Sequence, residues 1–304
     1  MDGILPLWKP KGLTSHDCVV KIRKLFKTKK VGHTGTLDPE VEGVLPICIG
    51  QATKIVPYLT DTRKTYIAEV TLGIATETED SHGKVIERKD VQEVLNIDKV
   101  LSVLNQFVGE IKQVPPMYSA VKVNGKKLYE YAREGKIIER PDRLITIHDI
   151  ELLTEVKKTD EKMQQFSFRV ECSKGTYIRT LCVDIGHALG YPAHMSELIR
   201  TKTGSFSTEN SYSFEQIEQA ISNGKGIELL SPIQQGVKHL DTYYVTSDFV
   251  TKIRNGQKLP IPDKLPKTNP FRVQLDDKLL AIYQLHPSKH DLIKPVRVIE
   301  TILK

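Results

Sequence analysis

The segment of residues 32–46 restricts the folding of this chain more than any other, because three glycines and two prolines fall within fifteen residues. Glycine adopts backbone conformations that other residues avoid, and proline lacks the amide hydrogen that helices and inner strands need. The segment is therefore expected to turn tightly instead of forming one helix. It matches neither the phosphate-binding loop that ends in Gly-Lys-Ser/Thr nor the Gly-x-Gly-x-x-Gly loop of dinucleotide-binding proteins.

Asp38 is the residue of this segment that could carry chemistry, and its neighbours leave two interpretations open. An aspartate followed by proline is typical of a helix N-cap, with Pro39 as the first helical residue. Alternatively, a carboxylate on a glycine-flanked turn is held at the floor of a cleft, where it can act as a nucleophile or a base. The local sequence alone favours the cap, because caps are far commoner than catalytic carboxylates.

Regular elements on both sides of this segment indicate an α+β fold. Thr14 and Asp17 have the spacing of a capping box, which predicts a helix that runs to about Phe26. Further helices are expected at 97–108 and 178–189, strands at 65–73, 143–153 and 164–173, a hairpin turn at Asn124-Gly125, and short strands after residue 270. The helix at 97–108 is expected to bury Ile97, Val100, Leu101, Leu104 and Val108.

The first expected helix and the turn after it carry a run of cations with no acid between them. These are Lys21, Arg23, Lys24, Lys27, Lys29 and Lys30. A run of charges is most often a solvated face, and that is its default interpretation.

The overall composition permits a polyanionic partner without requiring one. There are 44 Lys and Arg residues against 38 Asp and Glu residues, a net charge of +6 over 304 residues. No apolar run approaches the ~18 residues of a membrane span, and no signal peptide is recognisable, so the cytoplasm is the expected compartment and no membrane partner is expected. The four cysteines are not spaced as zinc ligands and are expected to be buried and reduced. We expect no metal site.

Seven sequence blocks, in order, resemble the TruB family of tRNA pseudouridine synthases. Residues 32–46 resemble the catalytic motif of that family. The other blocks are residues 12–17, 64–66, 115–122, 125–133, 172–179 and 198–201. The resemblance covers about residues 3–210, and residues 241–304 more weakly resemble the small β domain of the family. Trp8 and Ile199 depart from the usual motifs, which have Asp and Arg at these positions.

The resemblance implies an enzyme that isomerises the uridine at position 55, in the T loop of tRNA, to pseudouridine without a cofactor. The nucleotide would be flipped out of its stack, the bond to N1 broken, the base rotated, and C5 joined to C1′. The implied architecture is a catalytic domain at 1–235 with a mixed, mainly antiparallel central sheet flanked by helices. A tRNA-gripping insertion at about 115–142 and a PUA-like β domain at 240–304 complete it. We expect a monomer that binds the T stem-loop of tRNA.

The resemblance also assigns the chemistry to three residues. Asp38 would be the essential carboxylate, and this overrides the local preference for a helix cap. Arg179 would pair with Asp38 and keep it ionised, since a nearby cation lowers the pKa of a carboxyl group. Tyr66 would stack on the extracted uracil and help to remove the proton from C5.

Other residues of the matching blocks are expected to bind the substrate. Tyr177 and Leu198 would line the pocket, and His33 would fill the gap that the flipped nucleotide leaves. The expected cationic contacts are Lys64, Arg200, Lys122, Lys126 and Lys127, of which the last three lie in a basic and aromatic stretch suited to gripping RNA.

Two alternative functions remain open from the sequence. One is a guide-RNA-dependent pseudouridine synthase, which shares part of the catalytic motif. The other is a non-catalytic tRNA-binding or folding factor. The block at 125–133 and the lack of long basic tails favour the stand-alone enzyme, and the presence of Asp38, Tyr66 and Arg179 disfavours a non-catalytic protein.

Overall fold

The computed structural model describes residues 1–160 and 162–299, so residues 300–304 of the predicted C-terminal domain lie outside the described part. In chain order its strands are β1 (Gly3–Lys9), β2 (Val31–His33), β3 (Glu42–Ile49), β4 (Lys64–Leu72), β5 (Ile74–Thr76), β6 (Val85–Arg88), β7 (Gly109–Gln113), β8 (Lys122–Val123), β9 (Lys126–Lys127), β10 (Arg143–Leu152), β11 (Lys157–Lys158), β12 (Gln164–Cys172), β13 (Ala193–Thr203), β14 (Phe206–Ser207), β15 (Thr242–Tyr244), β16 (Leu259–Pro260), β17 (Phe271–Leu275), β18 (Lys278–Leu285) and β19 (Leu292–Val298). Its α-helices are α1 (Ser15–Leu25), α2 (Val56–Thr60), α3 (Ile97–Gln106), α4 (Leu128–Arg133), α5 (Ile178–Leu189), α6 (Phe214–Ser222) and α7 (Val250–Arg254). No helix among these is long and apolar enough to cross a lipid bilayer.

The chain folds into two compact units that are not consecutive in sequence. The first contains Met1–Thr62 together with the chain from Lys202 onward, and the second contains Arg63–Thr201. Helices and mainly antiparallel strands occur in both units, which confirms the predicted α+β class. The predicted domain boundary between residues 235 and 240 stays a prediction.

In the first unit, three strands frame the segment that contains Asp38. β1 pairs antiparallel with β3 from Gly3 opposite Ile49 to Lys9 opposite Gly43, and β2 pairs with the end of β3. α1 begins at the predicted capping box, in which the Thr14 hydroxyl accepts a hydrogen bond from the Asp17 amide at 3.0 Å. One apolar cluster joins the helix to the strands, and it includes Leu5, Leu7, Val19, Ile22, Phe26, Val31, Leu45 and Ile47. This packing fixes both ends of the segment between β2 and β3.

The first unit also contains a five-stranded C-terminal sheet in the order β15-β17-β18-β19-β16. β15 and β17 run parallel, whereas the other pairs are antiparallel. Leu279 and Ile282 of β18 share a buried apolar cluster with Ile4 and Val44 near the N-terminus. Trp8, for which the sequence suggested no role, is partly buried against the same cluster.

The second unit is built on the strand order β13-β4-β12-β10-β7. β12 alternates strictly between buried and half-buried residues, and it pairs antiparallel with both β4 and β10. α5 packs against β4 and α3, and it ends where Gly190 adopts a left-handed conformation at φ 93°. Because this helix rests on the sheet, its first turn has a fixed position within the unit.

The buried side of α3 differs from the sequence prediction. Val100 and Leu104 are buried as expected, but Ile97, Leu101 and Val108 are 41%, 39% and 46% exposed, and Val103 is buried instead. The helix meets α5 and β10 along a face centred on Val100, Val103 and Leu104. This face shares Val100 and Leu104 with the predicted apolar stripe but is rotated toward Val103. The apolar spacing located the helix but not the direction of its contacts.

Candidate active site

Asp38 lies on a tight turn and does not begin a helix. The Val41 amide donates to the Asp38 carbonyl at 3.1 Å, and residues 39–40 form the turn between them. The side chain of Asp38 is half-buried, whereas Pro39 and Glu40 are exposed. The helix-cap interpretation of the Asp38-Pro39 pair is therefore wrong, and the interpretation as a carboxylate on a turn agrees with the structure.

The fully buried side chain of Lys9 contacts the backbone of this turn. Its ammonium group donates to the carbonyls of Pro10 and Pro39 at 3.0 Å each and of Val41 at 2.6 Å. A buried ammonium is costly unless all of its hydrogens are paired, and three carbonyl oxygens satisfy its three donors. Lys9 thereby ties the turn of Asp38 to the end of β1.

Two further contacts fix the same turn from α1 and from the loop before it. The Ser15 hydroxyl accepts from the Leu37 amide at 2.8 Å and lies 3.2 Å from the Leu37 carbonyl, so it clamps the residue that precedes Asp38. The Gly12 amide donates to the Pro39 carbonyl at 2.9 Å. Hydrogen bonds thus hold the backbone on both sides of Asp38, which fixes the position from which its side chain projects.

His33, at the end of β2, is half-buried, and its Nδ1 accepts from the Gly35 amide at 3.3 Å. This contact closes a small turn at the start of the loop that leads to Asp38. His33 thus lies at the end of β2, immediately before the loop that carries Asp38.

In the second unit, Arg179 is nearly buried in the first turn of α5. Its guanidinium donates to the carbonyl of Thr78 at 3.0 Å and to that of Tyr118 at 2.9 Å, and it lies 3.8 Å from the Asp80 carboxylate. A guanidinium keeps its charge even when buried. Arg179 is thus a fixed cation that also anchors the start of the predicted insertion through Tyr118.

Carboxylate groups surround the first turns of α5. Glu79 has a left-handed backbone with φ 63°, and it accepts a hydrogen bond from the Thr180 hydroxyl at 2.6 Å. Burial raises the pKa of Glu79, while Thr180 and Arg179 oppose that change. Burial, followed by the charge of Glu79, also raises the pKa of Asp184 to about 6. Glu79 and Asp80 thus place carboxyl groups beside Arg179 at the start of α5.

Tyr177 precedes α5, and the buried Gln113 holds its backbone on both sides. The Tyr177 amide donates to Gln113 Oε1 at 2.7 Å, and Gln113 Nε2 donates to the Tyr177 carbonyl at 3.0 Å. Gln113 comes from β7, which lies 64 positions earlier, and no local signal in the sequence could have identified it. The double contact fixes the backbone from which the half-buried Tyr177 ring projects.

The remaining predicted site residues outside the hairpin lie on β4 and β13, which are neighbours in the sheet of the second unit. Tyr66 and Leu198 are 9% and 8% exposed. Lys64 and Arg200 are also buried, with exposed fractions of 5% and 1%. These two cations therefore lie within the sheet, and not on its open surface as simple phosphate contacts would.

Lys122, Lys126 and Lys127 lie on the predicted hairpin, whose turn residues Asn124 and Gly125 adopt left-handed conformations at φ 52° and 82°. Lys126 forms an ion pair with Glu134 and lies 4.8 Å from the centre of the Tyr131 ring. Lys127 donates to the Tyr129 hydroxyl at 3.2 Å. Only Lys122 is fully exposed, so it is the hairpin lysine most accessible to a phosphate.

The predicted site residues are thus distributed over both units. The first unit carries Asp38 and His33, and the second carries Tyr66, Arg179, Tyr177, Leu198, Lys64, Arg200 and the three hairpin lysines. The pairing of Asp38 with Arg179 stays a prediction. No group of three His, Cys, Asp or Glu residues suited to a metal ion occurs in residues 1–160 and 162–299. The four cysteines are free and buried, as predicted.

Two family models together match residues 23–238 of the chain. Residues 23–178 match the family described as TruB family pseudouridylate synthase (N terminal domain). Residues 179–238 match the tRNA pseudouridylate synthase B C-terminal domain. The chain is 60% identical to the tRNA pseudouridine synthase B of Oceanobacillus iheyensis over 98% of this chain and 97% of that relative. It is 52% identical to the protein of the same name from Bacillus subtilis, over 98% of both chains.

Two solved structures are similar to this chain in their fold. A chain in a crystal structure of a Cbf5-Nop10-Gar1 complex superimposes with a TM-score of 0.75 and 29% identity, covering 98% of this chain and 85% of that chain. A chain in an H/ACA RNP bound to a substrate RNA containing 2′-deoxyuridine gives a TM-score of 0.73 and 26% identity, with the same coverage.

Proposed function

Because the chain belongs to the TruB family of pseudouridylate synthases, we propose that it isomerises uridine 55, in the T loop of tRNA, to pseudouridine. The observation that carries this proposal is the turn of Asp38, whose backbone is fixed by Lys9, Ser15 and Gly12. A reaction at one atom of a flipped nucleotide requires a carboxylate held in a defined direction. The hydrogen-bonded backbone of the turn supports this role, because it holds the start of the Asp38 side chain in one place.

In the proposed reaction, ionised Asp38 acts on the ribose of the target nucleotide and the bond between C1′ and N1 breaks. Arg179 pairs with Asp38 and sets a positive charge beside the carboxylate that acts on the ribose. The freed uracil rotates against Tyr66, Tyr177 and Leu198, and C5 then bonds to C1′. The proton on C5 leaves in the last step and N1 gains a proton, so the product is an isomer of the substrate and no redox partner is needed.

The proposed substrate contacts follow from the same assignment. His33 occupies the gap left by the flipped nucleotide, and Lys122, Lys126 and Lys127 meet the RNA backbone. Lys64 and Arg200 contribute positive charge from within β4 and β13, in keeping with their burial. We propose the T stem-loop as the recognised part of tRNA, a monomer as the active form, and the cytoplasm as the compartment.

The stand-alone enzyme is favoured over a guide-RNA-dependent one. The relatives named tRNA pseudouridine synthase B are 60% and 52% identical to this chain, whereas the chains of the Cbf5-Nop10-Gar1 complex and the H/ACA RNP are 29% and 26% identical. The hairpin at residues 122–127 also supplies the chain with basic groups of its own for RNA.

Replacing Asp38 with asparagine tests the proposed function. Asp38→Asn keeps the size of the side chain but removes its charge and basicity. We expect pseudouridine formation in unmodified tRNA to be abolished while the Kd for tRNA stays within a few-fold. Tritium release from C5-labelled tRNA measures the turnover. Glu40→Gln, an exposed neighbour on the same turn, serves as the matched control and should remain active. Retained turnover in Asp38→Asn would refute the proposed role.

A further inference from the structure

The end of α1 and the loop before β2 present four exposed lysines within seven residues. They are Lys24, Lys27, Lys29 and Lys30, and we refer to them together as the basic corner. A cation in the last turn of a helix stabilises the helix dipole, which accounts for Lys24. The other three lie beyond the helix end, so the dipole does not explain them. Like charges at this spacing repel one another, and folding alone does not compensate for that cost.

The basic corner has a fixed backbone. Phe26 and Val31, on either side of it, are buried in the apolar cluster of the first unit. The Thr28 amide donates to the Arg23 carbonyl at 3.1 Å, and the Gly50 amide donates to the Lys30 carbonyl at 2.8 Å. The lysine stems therefore start from defined positions, although their ammonium groups face solvent.

Acids on the neighbouring elements are engaged elsewhere. Glu218 of α6 pairs with Lys21 at 2.9 Å, and Asp2 accepts from the Gln51 amide at 2.6 Å. Asp17 serves the cap of α1. Within residues 1–160 and 162–299, no carboxylate lies within 4.0 Å of an ammonium group of the basic corner. The corner thus keeps its positive charge for an external partner.

The basic corner also lies close to the candidate active site in the chain and in the same unit. Lys30 directly precedes β2, which ends at His33, and the loop that carries Asp38 follows. A three-residue strand spans about 10 Å, so a few nucleotides of RNA backbone can pass along both the corner and this loop. We propose that the basic corner binds the phosphate backbone of the substrate RNA beside the nucleotide that enters the site. This inference rests on the proposed function.

A quadruple variant tests the proposal. Lys24→Gln, Lys27→Gln, Lys29→Gln and Lys30→Gln together are compared with a control that removes the same charge from exposed lysines of the second unit, by Lys84→Gln, Lys112→Gln, Lys157→Gln and Lys162→Gln. Filter binding measures the Kd for full-length unmodified tRNA at several salt concentrations. We expect the corner variant to bind about tenfold or more weakly than the control. Its log-log salt slope should fall in magnitude by about 2 to 3, since each lost phosphate contact removes about 0.7 to 0.9.

A double variant keeps the test valid if the quadruple variant folds poorly. Lys27→Gln and Lys29→Gln lie outside helices and strands, and together they should produce about half of the change in slope. A Kd for the corner variants within twofold of the control, with an unchanged slope, would overturn the proposal. Failure of the unaltered protein to form pseudouridine in tRNA would instead refute the proposed function, and the binding comparison would still decide the role of the corner.

Discussion

At the scale of single residues, Lys9 shows what a residue-type rule misses. Lysine is almost never fully buried unless it is paired, so residue type alone does not predict a buried Lys9. Lys9 follows Leu5 and Leu7 at a spacing of two in β1, and it continues the face that they bury. The apolar run before Lys9 does not predict this burial, because the three carbonyls that receive its hydrogens come from a loop thirty residues later and from Pro10.

We predict that Lys9→Met destabilises the protein through the turn of Asp38. Methionine fills a similar volume but leaves the carbonyls of Pro39 and Val41 without their charged donor. A lost hydrogen bond from a charged group costs about 1.5–3 kcal/mol, so the free energy of unfolding should fall by about 2–4 kcal/mol. Urea denaturation measures this change, and turnover should fall as well because the turn loses its anchor.

Lys84→Met is the control for this prediction, because it removes the same charge from an exposed position. Its free energy of unfolding should stay within about 0.5 kcal/mol of the unaltered protein, as for most surface substitutions. If Lys9→Met were equally harmless, Lys9 would not be the anchor that the structure indicates.

At the scale of helices and strands, local sequence patterns predicted where an element forms better than which of its faces is buried. The capping box placed α1, the Asn124-Gly125 pair placed the hairpin, and Gly190 placed the end of α5. These signals depend on residues that touch their own neighbours in sequence. The buried face of α3 depends on β10 and α5, which are far away in sequence, and its prediction was partly wrong for that reason.

We predict that Gly186→Ala destabilises α5, although alanine favours helices by about 1 kcal/mol over glycine. A Cβ atom at Gly186 would lie 2.2 Å from the Ala193 Cβ and 2.9 Å from the Tyr191 carbonyl oxygen. Overpacking of this kind costs about 1–3 kcal/mol, and short rigid groups cannot move aside cheaply. The melting temperature should therefore fall, and turnover should fall with it because α5 carries Arg179.

A second substitution checks the cause of that loss. Ala193→Gly, combined with Gly186→Ala, removes the 2.2 Å contact and should recover part of the melting temperature. A single Gly186→Ala variant that melted higher than the unaltered protein would show that helix propensity outweighs the close packing of α5 on β13.

At the scale of the whole molecule, the division into two units could not be predicted from the sequence. Residues 1–62 group with the chain from Lys202 onward, and Ile4 and Val44 share an apolar cluster with Leu279 and Ile282. Such contacts join positions more than 200 residues apart, and no local pattern encodes them. The blocks of residues 32–46 and 172–179 identified the candidate chemistry, whereas supporting residues such as Gln113 became visible only in the fold.

The net charge of +6 leads to a final prediction about the molecule as a whole. So small an excess cannot attract RNA from every side, so binding must depend on a few local groups of cations, among them the exposed Lys122 and the basic corner. If about four phosphates are neutralised, raising the salt from about 50 to about 200 mM should weaken tRNA binding by about 50–150-fold, because counterions released on binding oppose it more strongly at higher salt. A Kd that changed by less than about threefold over this range would contradict binding through contacts between cations and phosphates. It would indicate recognition through shape and base contacts alone.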